Sequence, residues 1–310
     1  MPESTGKEMD RYRCKLNYIY SYMKKIIFIC FLILFVNYFC KAQDKTEYVE
    51  QTFYSDRVIN GHSIDLIPAG VLDFKISHRM GRINQGFDNF FGIDQATSRL
   101  ALEYGITDWL MTGLGRSTTE KLVDGFIKYK ILRQSSGKII MPVSVTGFSS
   151  ISASTIKWKD TEDESEDNYF SSSLYYTHQL IIARKFKSYS LQFTPTFIHR
   201  NLVETREDHN DVFAIGFAGR LKLSNRIDLT AEYYYVLPNQ ISSKYNGMDV
   251  VNSGSLGIDI YTGKHTFQIF ITNTTTMAEK AFITESTEKW DKGNIHIGFN
   301  ISRFFHIVNY

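Results

Sequence analysis

The chain has 310 residues, of which 43% are hydrophobic, 15% aromatic and 22% charged, and its formal net charge is +2. That composition excludes a disordered chain and gives no reason to invoke a nucleic-acid partner. Its odd feature is 19 Tyr and 23 Phe in a chain whose mean hydropathy is −0.22.

Taken from the N-terminus, Ile26 to Phe39 is a 14-residue apolar run interrupted only by Asn37, preceded by Lys24 and Lys25 and followed by Cys40-Lys41-Ala42. A spanning helix needs about 20 apolar residues, so the run reads as a signal peptide cleaved after Ala42. Met23 is the expected start, and residues 1–22 read as an upstream extension. Removing the seven Lys/Arg and three Asp/Glu of residues 1–42 leaves 28 basic and 30 acidic groups, a net of −2. All three cysteines, Cys14, Cys30 and Cys40, leave with the segment. The exported chain then has no thiol, so no disulfide, cysteine nucleophile or thiolate metal site is expected.

Residues 43–69 combine Phe53, Tyr54, Val58, Ile59, Ile64, Leu66 and Ile67 with an Asn60-Gly61 turn. That is too apolar for a loose tail. Two placements stay open, a plug inside a lumen or a segment docked at a periplasmic rim.

From residue 70 onward the pattern is period-2 alternation. Leu72, Phe74 and Ile76 alternate with Asp73, Lys75 and Ser77; Ile295, Ile297, Phe299 and Ile301 alternate with His296, Gly298, Asn300 and Ser302. The expected strands are 71–79, 97–106, 109–117, 123–133, 139–150, 169–186, 189–201, 211–223, 227–237, 253–262, 265–273 and 293–305. Five short connections (107–108, 134–138, 187–188, 224–226, 263–264) interleave with six longer ones. Long strands and alternating short and long connections predict an all-β fold over 70–310: a closed antiparallel transmembrane β-barrel of about 12 strands, with short periplasmic turns and longer outer loops. The expected location is the outer membrane, with lipid as the first partner. Tyr104, Trp109, Phe186, Tyr189, Tyr261 and Phe305 near the turns, and Tyr169, Phe197 and Tyr235 toward the loops, are the expected interfacial girdles. Pro195 falls inside the seventh strand, where a bulge would accommodate it.

Several runs of residues carry a resemblance: Arg57-Val58-Ile59-Asn60-Gly61-His62-Ser63, Pro68-Ala69-Gly70-Val71-Leu72-Asp73-Phe74, Ile76-Ser77-His78-Arg79, Phe90-Phe91-Gly92-Ile93-Asp94, Leu102-Glu103-Tyr104-Gly105-Ile106, Gly113-Leu114-Gly115-Arg116-Ser117 and Asp124-Gly125-Phe126. From about Phe53 to Ser302 the chain resembles an uncharacterised β-barrel family of exported Bacteroidota proteins, domain of unknown function 5777. The resemblance implies an outer-membrane-type barrel and brings no activity with it.

The residues offer little catalytic chemistry. None of the eight histidines is spaced as HxH or HxxxH, there is no GxSxG, and Ser63 beside His62 would point away from it on a strand. Gly113 and Gly115 read as room for curvature or for a bulky neighbouring side chain in a barrel wall. The acidic run Asp160 to Asp167 reads as a solvated outer loop rather than a calcium site. No enzyme activity, cofactor or metal is expected. The functional signal lies on the polar faces, where the lumen-lining candidates are Lys75, Arg79, Arg99, Glu103, Lys128, Lys130, Arg220, Asp228, Glu232 and Asp259. Basic early strands facing acidic late ones would set a transverse field across a solvated lumen; pairing between neighbours is the equal alternative. The expected function is a narrow channel for small polar or charged solutes. The alternatives are an accessory barrel that partners another envelope protein through its N-terminal segment or loops, and a barrel-embedded hydrolase.

Overall fold

The structure, a computed structural model, describes residues 45–156 and 170–308 apart from 204, 206, 242, 243 and 246. The expected signal segment with its three cysteines, the acidic run 160–167 and Tyr169 lie outside the described residues. The strands are β1 (Thr46–Tyr48), β2 (Val71–Arg82), β3 (Thr97–Thr107), β4 (Leu110–Ser117), β5 (Leu122–Leu132), β6 (Ser135–Gly137), β7 (Ser144–Ser154), β8 (Leu174–Lys185), β9 (Tyr189–Arg200), β10 (Asp211–Lys222), β11 (Ile227–Val236), β12 (Lys244–Tyr245), β13 (Met248–Asp249), β14 (Gly254–Tyr261), β15 (His265–Thr272) and β16 (His296–His306). One short helix, α1 (Glu279–Thr284), lies between β15 and β16.

Twelve of these strands close into one antiparallel barrel, in the order β2-β3-β4-β5-β7-β8-β9-β10-β11-β14-β15-β16 and back to β2. The seam is a regular ladder, with Ile301 opposite Ile76 and Arg303 opposite Phe74. Closure removes every sheet edge, which is what a backbone in hydrocarbon requires. Each of the twelve expected segments falls on one barrel strand. The strands' outward side chains form an exposed apolar belt: Leu114 is 67% exposed, Ile127 53%, Leu100 52% and Phe217 51%. In a water-soluble protein such a continuous belt would be costly; facing lipid it is the natural solvent contact. The inward positions of the same strands are mostly polar and buried, so alternation averages to a polar hydropathy while the outer surface stays apolar.

Several details differ from the sequence expectation. The fifth barrel strand starts at Ser144 rather than 139, because residues 135–142 turn back on themselves with Ser135 bridging Met141. Those residues and β1, which pairs with β6, make a small separate unit. The sixth strand starts at Leu174, after a 3₁₀ turn over Phe170–Ser173. Pro195 does not sit in a bulge. The register is unbroken, with Pro195 opposite Ile215 on β10 and Gln179–Thr196 and Ile182–Phe193 in step on β8. The pairing with β8 instead lapses over the two residues between those pairs, so the missing amide costs no register shift. Tyr261 does not join a girdle: its hydroxyl lies 3.1 Å from both the Asp259 carboxylate and the Phe53 carbonyl, either of which can accept its one proton, inside the barrel. Trp109, Tyr189, Tyr235 and Phe305 are exposed at strand ends, as interfacial aromatics are. Gly113 and Gly115 do make room: a Cβ on Gly113 would lie 2.4 Å from the Phe126 ring, and one on Gly115 2.1 Å from the Arg99 guanidinium.

Candidate functional site in the barrel lumen

Residues 49–69 run between the inward faces of the barrel strands, and their core is a tight hairpin. The Val58 amide donates to the Gly61 carbonyl at 2.8 Å, Arg57 bridges His62, and the Ser63 amide donates to the Asp56 carbonyl at 2.8 Å. Asn60 and Gly61 favour such a reversal, as turn chemistry dictates. Phe53, Val58, Ile59, Ile64 and Ile67 pack into one apolar cluster with Met111, Phe126, Phe148 and Phe270 of the wall. The strands contribute side-chain donors to the segment's carbonyls: Gln268 to Val58 at 2.7 Å, Asn300 to Ile59 at 2.9 Å, Gln192 to His62 at 2.8 Å, Thr146 to Ile64 at 3.1 Å and Ser190 to Thr52 at 2.8 Å. An irregular backbone at membrane depth is tolerable only with its polar groups satisfied in this way.

Two ionic clamps hold the hairpin. At its tip the Glu232 carboxylate accepts the amides of Ile59 (3.3 Å), Asn60 (2.8 Å) and Gly61 (3.0 Å), a small nest of backbone donors closed on an anion. The Asn60 side chain accepts from Arg79 at 2.7 Å and donates to Ser255 at 3.0 Å. At its base the Lys75 ammonium lies 2.6 Å from Asp56, 2.9 Å from Glu103 and 3.4 Å from Asp73. Asp56, Asp73 and Glu103 bring carboxylate oxygens within 4.8 Å of one another, the kind of set that could ligate a hard cation. Here the Lys75 ammonium stands in the cation's place. Arg57 extends the network to Glu103 at 3.4 Å and Glu279 at 3.1 Å. Burial, together with the adjacent Glu103 charge, pushes Asp56 up to about 7 against the pull of Lys75.

The connection from β15 to β16 folds in from the long-loop end. All six residues of α1 are buried. Phe282 meets the Tyr234 ring edge to face at 5.1 Å and joins Ile198, Val212 and Ala214. Lys280 pairs with Glu285 at 2.5 Å and Glu120 at 3.3 Å, and its ammonium lies 4.0 Å over the Tyr175 ring. Burial raises the Glu285 carboxyl to about 7, opposed by Lys280.

Of the ten lumen candidates, Lys75, Arg79, Arg99, Glu103, Lys128, Arg220, Asp228, Glu232 and Asp259 are buried and Lys130 is half-buried. They are enclosed by protein rather than set in a solvated bore. Six of them meet the 49–69 segment directly: Lys75, Glu103, Glu232, Arg79, Arg220 and Lys128, the last with its ammonium on the Asp56 carbonyl at 3.1 Å and on the Asp65 carbonyl. Arg220 reaches the Thr52 carbonyl at 3.1 Å and pairs with Asp228 at 2.5 Å, while Arg99 pairs with Asp124 of the neighbouring strand pair. Asp259 accepts from Gln268 at 3.1 Å and Thr230 at 3.2 Å. The hairpin tip thus bridges a basic side, Arg79, and an acidic side, Glu232. Asp56 and Glu279 complete this network and were missed by sequence reasoning, because each is brought to its partner, Lys75 or Arg57, only by the folding of the 49–69 segment into the barrel.

Among the described residues no histidine is joined by hydrogen bonds to both a nucleophile and a carboxylate. Ser63 donates to the Ser55 carbonyl at 2.5 Å, away from His62. The His62 ring is wedged against Phe126 (4.6 Å) and Phe148 (4.3 Å); among the described residues neither ring nitrogen has a hydrogen-bond partner, although Nε2 lies 3.5 Å from the Glu279 carboxylate. Ser149 and His178 face each other across β7 and β8 on the outer wall at 3.0 Å, but among the described residues nothing hydrogen-bonds the other ring nitrogen to orient it. Burial and the nearby Arg57 and Lys128 charges hold His62 well below its ordinary range, so the docked ring is neutral. A proton taken up by the released ring therefore opposes docking, and the segment's hold weakens as pH falls below about 6.5. Replacing His62→Phe should remove that part of the acid sensitivity. It should also remove two buried nitrogens that make no hydrogen bond among the described residues, leaving stability at pH 7.5 equal or higher. Heat-modifiable gel migration of both proteins between pH 5 and 7.5 checks this, and a steeper acid loss in His62→Phe would contradict it.

Residues 53–305 match the family described as membrane bound beta barrel domain (DUF5777). A search of curated proteins gives no match. Among solved structures the chain is similar to the NanC porin, with 10% identity, a TM-score of 0.45 and coverage of 74% of this chain and 97% of that one. It is similar to the KdgM porin at 7% identity, a TM-score of 0.44 and coverage of 76% and 99%. For an outer membrane channel from Pseudomonas putida F1 the identity is 10%, the TM-score 0.47 and the coverage 78% and 98%.

Proposed function

The chain belongs to the family of membrane-bound beta barrel domains (DUF5777), and on that premise we propose that it is a non-enzymatic outer-membrane channel for small polar or charged solutes, held closed by its own residues 49–69. The observation that carries this reading is the chemistry under the hairpin. Beside the apolar patch of Met111, Phe126, Phe148 and Phe270, the wall grips it through Lys75, Arg79, Lys128, Gln192, Glu232, Gln268 and Asn300, whose hydrogen bonds and ion pairs water can replace. Withdrawal of the segment would therefore leave a wettable bore. An apolar seal would not. A second reading, an accessory barrel whose lumen stays shut, is favoured by the closure from the opposite end through α1 and Phe282.

Single-channel recording on refolded protein separates the two. The full chain should show rare openings, and a chain lacking residues 49–66 should conduct steadily. Silence from both would leave the accessory reading. In the shortened chain, Lys128→Glu with Lys130→Glu should move the reversal potential toward cation selectivity, since both side chains would then face the bore. An unchanged potential would mean that these charges do not line the conducting path.

A further inference from the structure

The short-turn end of the barrel carries an asymmetry of charge that the channel reading does not use. From β8 round to β16 the exposed or half-buried side chains at this end include Arg184, Lys187, Lys222, Arg226, Lys264 and Arg303. In the stretches 184–189, 220–228, 261–266 and 302–308 the only carboxylate is Asp228, which is buried toward the lumen and paired with Arg220 at 2.5 Å. None of these six cations forms a salt bridge among the described residues. The long-loop end is different. There Asp88, Asp94, Asp211, Asp249, Glu288 and Asp291 accompany Lys121, Lys289 and Lys292, and Lys289 and Arg82 are paired with carboxylates at 2.6 and 2.8 Å.

The basic arc is also continuous with the lipid-facing belt. Leu223 is 56% exposed and Ile307 59%, at the same level as the cations, and Tyr189 and Phe305 are exposed beside them. Two guanidiniums are fixed over outward aromatic rings two residues further along the strand: Arg184 over Phe186 at 5.1 Å and Arg303 over Phe305 at 5.0 Å. An aromatic ring at the membrane interface sits at headgroup depth, so a guanidinium stacked on it is held at the level of lipid phosphates. Unpaired cations at that depth, clustered at one end only, attract anionic headgroups over a range set by the ionic strength.

We infer that this arc, on the rim formed by the turns after β8, β10 and β14 and the end of β16, binds phosphate-bearing anionic lipid headgroups in the leaflet at the short-turn end. The inference is independent of whether the lumen conducts. Spin-labelled phosphatidylglycerol and spin-labelled phosphatidylcholine, each added to the full chain in phosphatidylcholine vesicles, measure it. At low salt the protein-bound fraction should favour phosphatidylglycerol roughly fivefold, the ratio one Lys or Arg at a charged surface supplies. The preference should shrink at high salt, and Arg184→Gln with Lys187→Gln, or Arg226→Gln with Lys264→Gln, should each reduce it. Lys121→Gln with Lys292→Gln, at the other end, should leave it intact. Heat-modifiable migration confirms folding of each variant, and the salt series on the unaltered chain stands without any of them. Equal binding of the two lipids, or a preference that survives both salt and the rim substitutions, overturns the inference, as does its loss on substituting the long-loop lysines.

Discussion

Lys75→Met should release the 49–69 segment and cost about 3–5 kcal/mol, the range for removing one partner of a buried ion pair. The ammonium is enclosed by Asp56, Asp73 and Glu103 at 2.6, 3.4 and 2.9 Å, and its side chain is 2% exposed. Methionine keeps the length and apolar stem of lysine and removes only the charge and its donors. Three carboxylates would then share one water-poor site with no ammonium between them, offset only from its edge by Arg57, at 3.4 Å from Glu103, and by Lys128 on the Asp56 carbonyl. The cheapest response is expulsion of Asp56, which sits on the movable segment while its two neighbours are fixed in strands. Protease access to residues 49–69, the heat-modification midpoint and single-channel openings should all report it. The loss should lessen as pH falls, because Asp56 is already pushed up to about 7 in the docked state and takes up a proton more readily there than when released. For a carboxyl raised on docking, docking is favoured below the folded value and weakens as pH rises through it. Adding Asp56→Asn to Lys75→Met should recover much of the loss, since a pair removed together leaves one less unbalanced charge. Equal loss in the single and double variants would mean that Lys75 acts through packing alone.

The barrel was legible because its signal is local. Alternation such as Leu72-Asp73-Phe74-Lys75 fixes which side chains face lipid from one stretch of sequence, and the lengths of the connections fix antiparallel closure. The turn at Asn60-Gly61 was legible for the same reason. What held it was not. Arg57 meets Glu279 across 222 residues and Asn60 meets Glu232 across 172, and nothing in the local pattern announces either pair. The charged candidates on the polar faces are buried or half-buried, but a solvated lumen and a filled one demand the same alternation. Whether Lys75 meets water or Asp56 depends on a segment outside the barrel strands. Residues 273–295 gave still less signal. Their Thr-rich run and six-residue helix, with no side-chain cap, carry no amphipathic period, and their burial follows from Phe282 finding Tyr234.

Glu232→Ala should free the hairpin tip without disturbing its base, at a cost of about 3 kcal/mol, somewhat less than the sum expected for three charge-assisted hydrogen bonds. One oxygen of Glu232 accepts the Asn60 amide at 2.8 Å and the other accepts Ile59 and Gly61 at 3.3 and 3.0 Å. Alanine leaves all three amides buried with no acceptor, and water must enter to satisfy them. Glu232→Gln is a sharper test. It preserves shape and removes one oxygen, so whichever way the amide turns, its NH₂ faces at least one backbone N–H, donor against donor. It should therefore resemble the alanine variant rather than the unaltered chain. Gly61→Ala reaches the same end by a different route, since a Cβ there would lie 1.9 Å from the Tyr234 hydroxyl and the tip must back away. If the carboxylate is what keeps the bore shut, all three variants should open more often than the unaltered chain while the Lys75 cluster keeps the base of the segment docked. Frequent brief openings, rather than the steady conductance of the chain lacking residues 49–66, are the expected signature. Should Glu232→Gln stay as quiet as the unaltered chain while Gly61→Ala opens, steric fit and not the anion would be what secures the tip.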